Sequence, residues 1–319
     1  MVSGPAPLRI IFFGTPSFAV PTLRALLDSR HDVLAVVSQP DRPRGRGQQI
    51  EPTPTKEIAV ANGVEVLQPD RVRDDAFLTH IRAWQPDLGV VAAYGKLLPE
   101  LLLAIPRLGM VNVHASLLPA YRGAAPVHRA VIAGERETGV TIMRIVKELD
   151  AGPMLASAKR AIAPHETSVD VERGLAELGA ALLLDVVDQL AGGTAVETPQ
   201  DEADATYAPK ITKEESAVNW ELPAERIHNL VRGLQPWPLV SVRIEGTRYQ
   251  LHETAVVDER AAAPAGTVVE ATPARFEVAA GDGRRLRVLR IQPEGRRVLT
   301  ARELLAGRRI APGTRLEPA

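Results

Sequence analysis

The stretch Leu8-Arg9-Ile10-Ile11-Phe12-Phe13-Gly14-Thr15-Pro16 decides how the first half of the chain folds. Its apolar block, Leu8 to Phe13, is too short for a helix and stops at Gly14. Beyond Pro16 the apolar residues Phe18, Val20, Leu23, Leu26 and Leu27 recur at helical spacing. Such a sequence reads as buried strand, turn, helix.

The alternation continues outward from that unit. Strands are expected at Val33 to Val37, Val64 to Leu67, Leu88 to Ala93 and Met110 to His114, with helical segments between several of them. Strands this apolar need cover on both faces, which predicts a doubly wound, mostly parallel α/β sheet of Rossmann-like outline. Two further extended segments, Gly139 to Val146 and Met154 to Ile162, precede a long helix from about Ser168 to Leu190, ended by Gly192-Gly193.

A polar, acidic stretch from Thr194 to Asp204 follows, and past it the pattern changes. Helical spacing at Ile227, Leu230, Val231 and Leu234 stops at Pro236-Trp237-Pro238. Short strands then alternate with Gly turns at Leu239 to Ile244, Arg248 to Glu253, Gly266 to Glu270, Arg275 to Ala279 and Leu286 to Ile291, the signature of a small β-barrel. The expected division is a first domain over 1–193, a linker over 194–209 and a barrel domain over 210–319.

Composition narrows the chemistry. With 319 residues, 45% apolar and 24% charged, the chain is an ordinary globular protein with room for two domains. Zero cysteines exclude disulfides, thiolate metal sites and a cysteine nucleophile. No run of eighteen apolar residues occurs and the start lacks signal-peptide features, so the cytoplasm is expected, with no membrane and a monomer as the default.

The net charge of −1 hides an asymmetry. Residues 1–209 carry 20 basic and 25 acidic side chains, whereas 210–319 carry 18 and 14. Nine arginines lie between Arg284 and Arg309, against Glu294 and Glu303, which points to an anionic partner for the second half. The loop Gln39 to Gln49 adds Arg42, Arg44 and Arg46 among Pro and Gly; it reads either as a cationic finger for phosphates or as an ordinary solvated loop.

Asn112-Val113-His114 ends the fifth strand, and strand alternation puts the amide and the imidazole side by side on one face. At the carboxyl end of an open α/β sheet, where ligands bind, such a pair suits attack on a carbonyl or formyl carbon. The plainer reading is a capped strand-end histidine with Asn112 serving the turn. Asp150, in the turn Glu148 to Pro153, either shapes that turn or reaches His114 and fixes its orientation. Tyr94-Gly95-Lys96 ends the fourth strand in a backbone-exposing turn, open to a flat heterocycle or simply entering a helix. Dinucleotide, P-loop and metal-ligand motifs are missing from the sequence, and twelve aromatics make a poor base-stacking platform.

Taken jointly, Phe13-Gly14-Thr15-Pro16, the Gln39 to Gly47 loop, Ala93-Tyr94-Gly95, Asn112-Val113-His114, Ser116 to Pro119, Arg122 to Pro126 and Leu149 to Gly152 resemble the 10-formyltetrahydrofolate-dependent formyltransferases, and among them the members that act on a charged tRNA. Lys213-Glu214-Glu215, Asn219-Trp220 and Pro236-Trp237-Pro238 extend the resemblance into the second half. It implies transfer of the formyl group of 10-formyltetrahydrofolate to the α-amino group of methionyl-initiator tRNA, for translation initiation and without a metal.

The same resemblance implies that Asn112, His114 and Asp150 are catalytic. Ser116, Leu117, Leu118 and Pro119, with the turn Tyr94, Gly95, Lys96 and Leu97 and the loop Arg144 to Leu149, would contact the folate. Arg42, Arg44 and above all Arg46 would contact the tRNA acceptor stem, and the barrel would resemble an oligonucleotide-binding fold. Gln48-Gln49, where many relatives are basic, Ala151, where Thr is usual, and Asn219, where Asp often precedes the Trp, depart from the family's pattern.

Overall fold

The computed structural model describes residues 6–44 and 49–319, and the chain divides into two compact units. The first takes in the chain to Gly123, Thr138–Arg160 and Glu172–Tyr207; the second takes in Ala124–Glu137, Ala161–Val171 and Ala208–Ala319. The polar stretch expected to be a linker is therefore, through Tyr207, part of the first unit. Conversely, two short pieces of the expected first domain fold with the barrel.

Seven strands build the sheet of the first unit: β1 (Arg9–Gly14), β2 (Asp32–Val37), β3 (Glu65–Leu67), β4 (Leu88–Ala92), β5 (Met110–His114), β6 (Glu137–Arg144) and β7 (Met154–Ala161), in the order β7-β6-β5-β4-β1-β2-β3. The pairings among β5, β4, β1, β2 and β3 are parallel, and β6 runs antiparallel to β5. The helices α1 (Ala19–Leu27), α2 (Pro54–Ala61), α3 (Asp75–Ala83) and α4 (Glu100–Leu103) lie between successive strands.

The opening strand is buried as its composition demands, with Ile10, Ile11, Phe12 and Phe13 fully inaccessible. Each such side chain stabilises the fold by about 1.5–3 kcal/mol. Gly14 ends β1 because a Cβ there would lie 2.6 Å from the Phe12 ring and 2.8 Å from Ala19. The loops leaving the carboxyl edge are knitted together: Thr15 Oγ1 donates to the Tyr94 carbonyl, and Thr55 Oγ1 donates to that of Gly14 at 2.8 Å.

In the second unit, β8 (Val240–Ile244), β9 (Thr247–Arg260), β10 (Val268–Thr272), β11 (Arg275–Ala279), β12 (Arg284–Pro293) and β13 (Leu316–Pro318) pair in the order β10-β11-β12-β9-β8-β13. An antiparallel bridge from Thr267 to Arg315 joins the two ends, so the sheet curls into a small barrel around Phe276, Val278, Leu286, Val288 and Leu251. Its second strand is fourteen residues long, far longer than the alternation suggested.

Helices α5 (Pro126–Ala133), α7 (Ala224–Gly233) and α8 (Ala301–Gly307) also belong to this unit, while α6 (Ser168–Gly192) begins in it and continues in the first. Gly233 brings α7 close to α5, since a Cβ there would lie 2.4 Å from Ile132. Asn219 caps its own turn by accepting from the Glu221 N–H at 3.0 Å, a bond an aspartate oxygen would accept equally well.

Candidate active site

β5 carries the centre of the site. Asn112 lies opposite Val91 of β4 on one side and Met143 of β6 on the other. Val113 faces α6, where a Cβ on Gly179 would sit 2.7 Å from it, so Asn112 and His114 project together from the opposite face. The Asn112 amide is half-buried and makes no hydrogen bond to any described residue.

His114 is 5% exposed. Its Nε2 lies 3.0 Å from the Tyr121 carbonyl oxygen, and because a carbonyl only accepts, Nε2 carries a hydrogen. Its Nδ1 faces Oδ2 of Asp150 at 3.7 Å, within ion-pair range but beyond a direct hydrogen bond. That same oxygen accepts the backbone N–H of Gly123 at 2.9 Å. One ring nitrogen of His114 is thus committed to backbone, and only the edge shared with Asp150 remains for proton traffic.

Asp150 arrives on a loop whose path follows β5. Ile145 donates its N–H to the Met110 carbonyl at one end of the strand, and Asp150 stands beside His114 at the other. Gly152 permits the return to β7: a Cβ there would be 1.9 Å from the Arg144 carbonyl oxygen. Asp150 itself has φ +51, a left-handed conformation for a residue with a side chain.

Two residues that the sequence did not single out support this arrangement. Gln200 Nε2 donates to the carbonyls of Asp150 and Gly152, both at 2.8 Å, while its Oε1 accepts from Arg122 Nε and Nη2 at 3.0 and 2.8 Å. Thr141, on β6 opposite His114, donates to the Ser116 carbonyl and accepts the Leu118 N–H. Neither had a local signal, since both bonds join residues distant in the chain.

The Ser116 to Pro119 segment follows directly, as expected, but its polar groups are mostly spent internally. Ser116 Oγ donates to Ala120 at 2.7 Å, and Leu117 packs where any side chain at Gly139 would collide with it, 2.4 Å away. The fourth-strand turn also behaves differently from the reading of an open surface. The Tyr94 ring is buried edge-on against Phe13, burial pushes its hydroxyl up to about 12, and its carbonyl accepts from Gln39 Nε2 at 2.9 Å. Tyr94 is thus a core residue, and Gly95, Lys96 and Leu97 are what the turn presents outward.

A cavity of about 340 Å³ lies on the outer side of that turn, lined by Arg71, Val72, Arg73, Lys96, Leu97, Leu98 and Pro99. None of Asn112, His114 or Asp150 lines it, so the cavity is not the seat of the chemistry. Lys96 Nζ is engaged there by the carbonyls of Pro69 and Asp70. Among the described residues no group of three or more His, Asp or Glu side chains gathers to hold a metal, and no helix is long and apolar enough to cross a membrane.

The expected tRNA contacts divide. Arg42 is exposed on a short ribbon, Arg42–Arg44 paired with Gln49–Glu51; Arg46 and the side chain of Arg44 lie outside the described residues. In the barrel, Arg284, Arg285, Arg287, Arg297 and Arg308 each pair with a carboxylate of the same unit. Arg290, Arg296, Arg302 and Arg309 are exposed and form no ion pair among the described residues.

An asparagine and a histidine at the carboxyl end of a central strand are thus met by an aspartate from a returning loop, at the sheet edge where open α/β folds bind ligands. The class of the chain is shown by its likeness to known proteins. The sequence profile described as formyl transferase matches residues 8–187, and that of the formyl transferase C-terminal domain matches residues 210–309. Methionyl-tRNA formyltransferase of Moorella thermoacetica is 46% identical over 306 residues, covering 96% of this chain and 98% of its own. That of Pelobacter propionicus is 48% identical over 307 residues, covering 96% and 95%.

The chain belongs to the formyl transferase family, in the branch of the methionyl-tRNA formyltransferases, and is a formyl-transferring enzyme. The same fold occurs in HypX from Aquifex aeolicus in complex with tetrahydrofolic acid, 18% identical with a TM-score of 0.64 over 93% of this chain and 47% of that one. It also occurs in the sugar 3N-formyl transferase WlaRD, 17% identical with a TM-score of 0.66 over 92% and 100%.

Proposed function

We propose that the enzyme transfers the formyl group of 10-formyltetrahydrofolate to the free α-amino group of methionyl-initiator tRNA, giving N-formylmethionyl-tRNA and tetrahydrofolate in the cytoplasm. The observation that carries this reading is the convergence of an uncommitted Asn112 amide with the His114–Asp150 pair on one face of β5. A chain α-amine titrates near pH ~7.7 to 8.0 and an adjoining ester lowers that value, so a useful fraction is already nucleophilic at neutral pH.

The amine nitrogen attacks the formyl carbon, and the carbonyl electron pair moves onto its oxygen. Asn112 donates to that oxygen as charge develops, a contact worth more in the adduct than in the substrate. The proton released by the attacking nitrogen passes to the His114–Asp150 edge, since Nε2 is held by Tyr121. It is then returned to N10 of the folate as the carbon–N10 bond breaks and tetrahydrofolate leaves. Ser116 to Pro119, the turn Tyr94 to Leu97 and the loop Arg144 to Leu149 frame the folate. Arg42, Arg44 and Arg46 meet the acceptor stem.

The test is direct. The enzyme is incubated with 10-formyltetrahydrofolate and, in separate reactions, methionyl-initiator tRNA, a UDP-amino sugar, or no acceptor, and each product is weighed. A mass gain of one formyl group on the tRNA-linked methionine is expected. Formylation of the sugar instead, or tetrahydrofolate release without an acceptor, would replace the reading.

A further inference from the structure

The geometry points to Gln200, in the acidic stretch after α6, as a positioning residue that sets the catalytic carboxylate of Asp150. This inference rests on the proposed role of Asp150 and adds to it a residue outside every motif of the site.

The Gln200 side chain is a saturated node. Its NH₂ group can only donate, and it meets two acceptors, the carbonyls of Asp150 and Gly152; its oxygen can only accept, and it meets two donors of one guanidinium. The orientation of the amide is therefore dictated by its neighbours. The guanidinium is itself buried and fully partnered on this side: Arg122 is 2% exposed, and its Nη1 and Nη2 also reach the two carboxylate oxygens of Glu202 at 3.0 and 2.7 Å. Arg122 donates its backbone N–H to Thr206 as well, and the next residue, Gly123, donates to Asp150 Oδ2.

Asp150 is therefore gripped from two sides by one anchor. The backbone after Arg122 holds the carboxylate, and the side chain of Arg122, acting through Gln200, holds the carbonyls of the two residues on either side of Ala151. The grip has something to oppose. At φ +51 Asp150 sits in the left-handed region, which an L side chain enters at a steric cost, smaller for Asp than for most residues, and keeps where its surroundings hold it. Released from Gln200, the turn relaxes and Oδ2 moves from its place 3.7 Å from His114. A displacement of about 1 Å at a reacting group costs up to about 100-fold in rate.

Gln200→Glu is the discriminating variant, because a carboxylate still accepts from Arg122 while it can no longer donate to the two carbonyls. Expected are a kcat for formyl transfer lower by about 10- to 100-fold and a KM for methionyl-tRNA unchanged within about twofold. In an Asp150→Asn background the same change should cost less than about twofold further, since it acts through the group already removed. Gln200→Met, which neither donates nor accepts, serves if the glutamate variant does not fold, with the same expectation. Wild-type kcat in the Gln200 variants beside a crippled Asp150→Asn, or losses that multiply in the double variant, would overturn the inference alone. Wild-type turnover by Asp150→Asn itself would overturn the reading of Asp150 and this inference with it.

Discussion

Gly123 gives its backbone N–H to the same oxygen of Asp150, Oδ2, that stands 3.7 Å from Nδ1 of His114. The oxygen cannot swing away from the imidazole without abandoning that bond, so the carboxylate and the ring keep a fixed spacing. Asn112, two residues before His114 on the same strand face, makes no such bond among the described residues.

The uncommitted amide makes a sharp prediction. Asn112→Ala should lower kcat by about 10²- to 10³-fold, the usual loss for one oxyanion donor, with little change in the KM for tRNA. Steady-state formylation with both substrates saturating measures it, and a variant that turns over normally would remove Asn112 from the mechanism.

Gly152→Ala should fail for a steric reason. Its Cβ would come to 1.9 Å from the Arg144 carbonyl oxygen, backbone against backbone, so the loop must shift as a whole. A loss of about 1–3 kcal/mol in denaturant midpoint analysis, and a drop in kcat through displaced Asp150, are expected. Unchanged stability together with unchanged turnover would contradict the close approach.

The second unit should be acid-sensitive before its carboxylates titrate. His228 is half-buried, with Nε2 donating to the Pro164 carbonyl and Nδ1 facing Thr254 Oγ1, both at 3.0 Å. Burial holds its value, and that of His128, below the ordinary 6.5. The folded state thus binds protons less readily than the unfolded state. The stability so contributed is complete above about pH 6.5 and is lost as the pH falls from there through the lowered folded values. Melting temperatures at descending pH should show that loss, and His228→Gln should reduce its steepness; an identical pH profile in the variant would exclude His228 as a source.

Salt dependence should be moderate. Five of the nine arginines between Arg284 and Arg309 already serve carboxylates, leaving Arg290, Arg296, Arg302 and Arg309 from that group for phosphates. With about 0.7–0.9 of a counterion released per contact, these four contribute a log–log slope of about −3 to tRNA affinity. Replacing all four by Gln should flatten the measured slope by about that amount, while an unaltered slope would place the phosphates elsewhere.

The sheet was legible in the sequence because hydrophobicity alone decides it. Ile10 to Phe13 and Leu88 to Ala92 have no polar face to show water, and period-two geometry then pairs Asn112 with His114. The direction of β6 was not legible, since an antiparallel strand buried on both faces carries the same hydropathy as a parallel one. Tyr94 misled for a related reason: its neighbours form a turn, yet its ring points into the core beside Phe13. Gln200 gave no sign, because its three partner residues lie about 50 to 80 residues away and polar residues between helix and barrel read as solvated chain. Helix α8 was passed over in the sequence although its start is marked there. Thr300 and Glu303 cap one another reciprocally, a Thr-x-x-Glu signature that stands in the sequence before Leu304-Leu305. The charge asymmetry was real but its meaning was not visible, as buried Glu277 neutralises Arg285 and Arg287 from another strand.

The second unit recruits Ala124–Glu137 and Ala161–Val171 from within the sequence span of the first. No single cut therefore releases either half with all its parts. A gene fusion that exchanged everything after residue 193 would bring in a barrel whose α5 still came from the old parent, and would replace Gln200 beneath an unchanged Asp150. Recombination between relatives should consequently tolerate crossovers that keep Arg122, Asp150 and Gln200 from one parent, and penalise those that separate them.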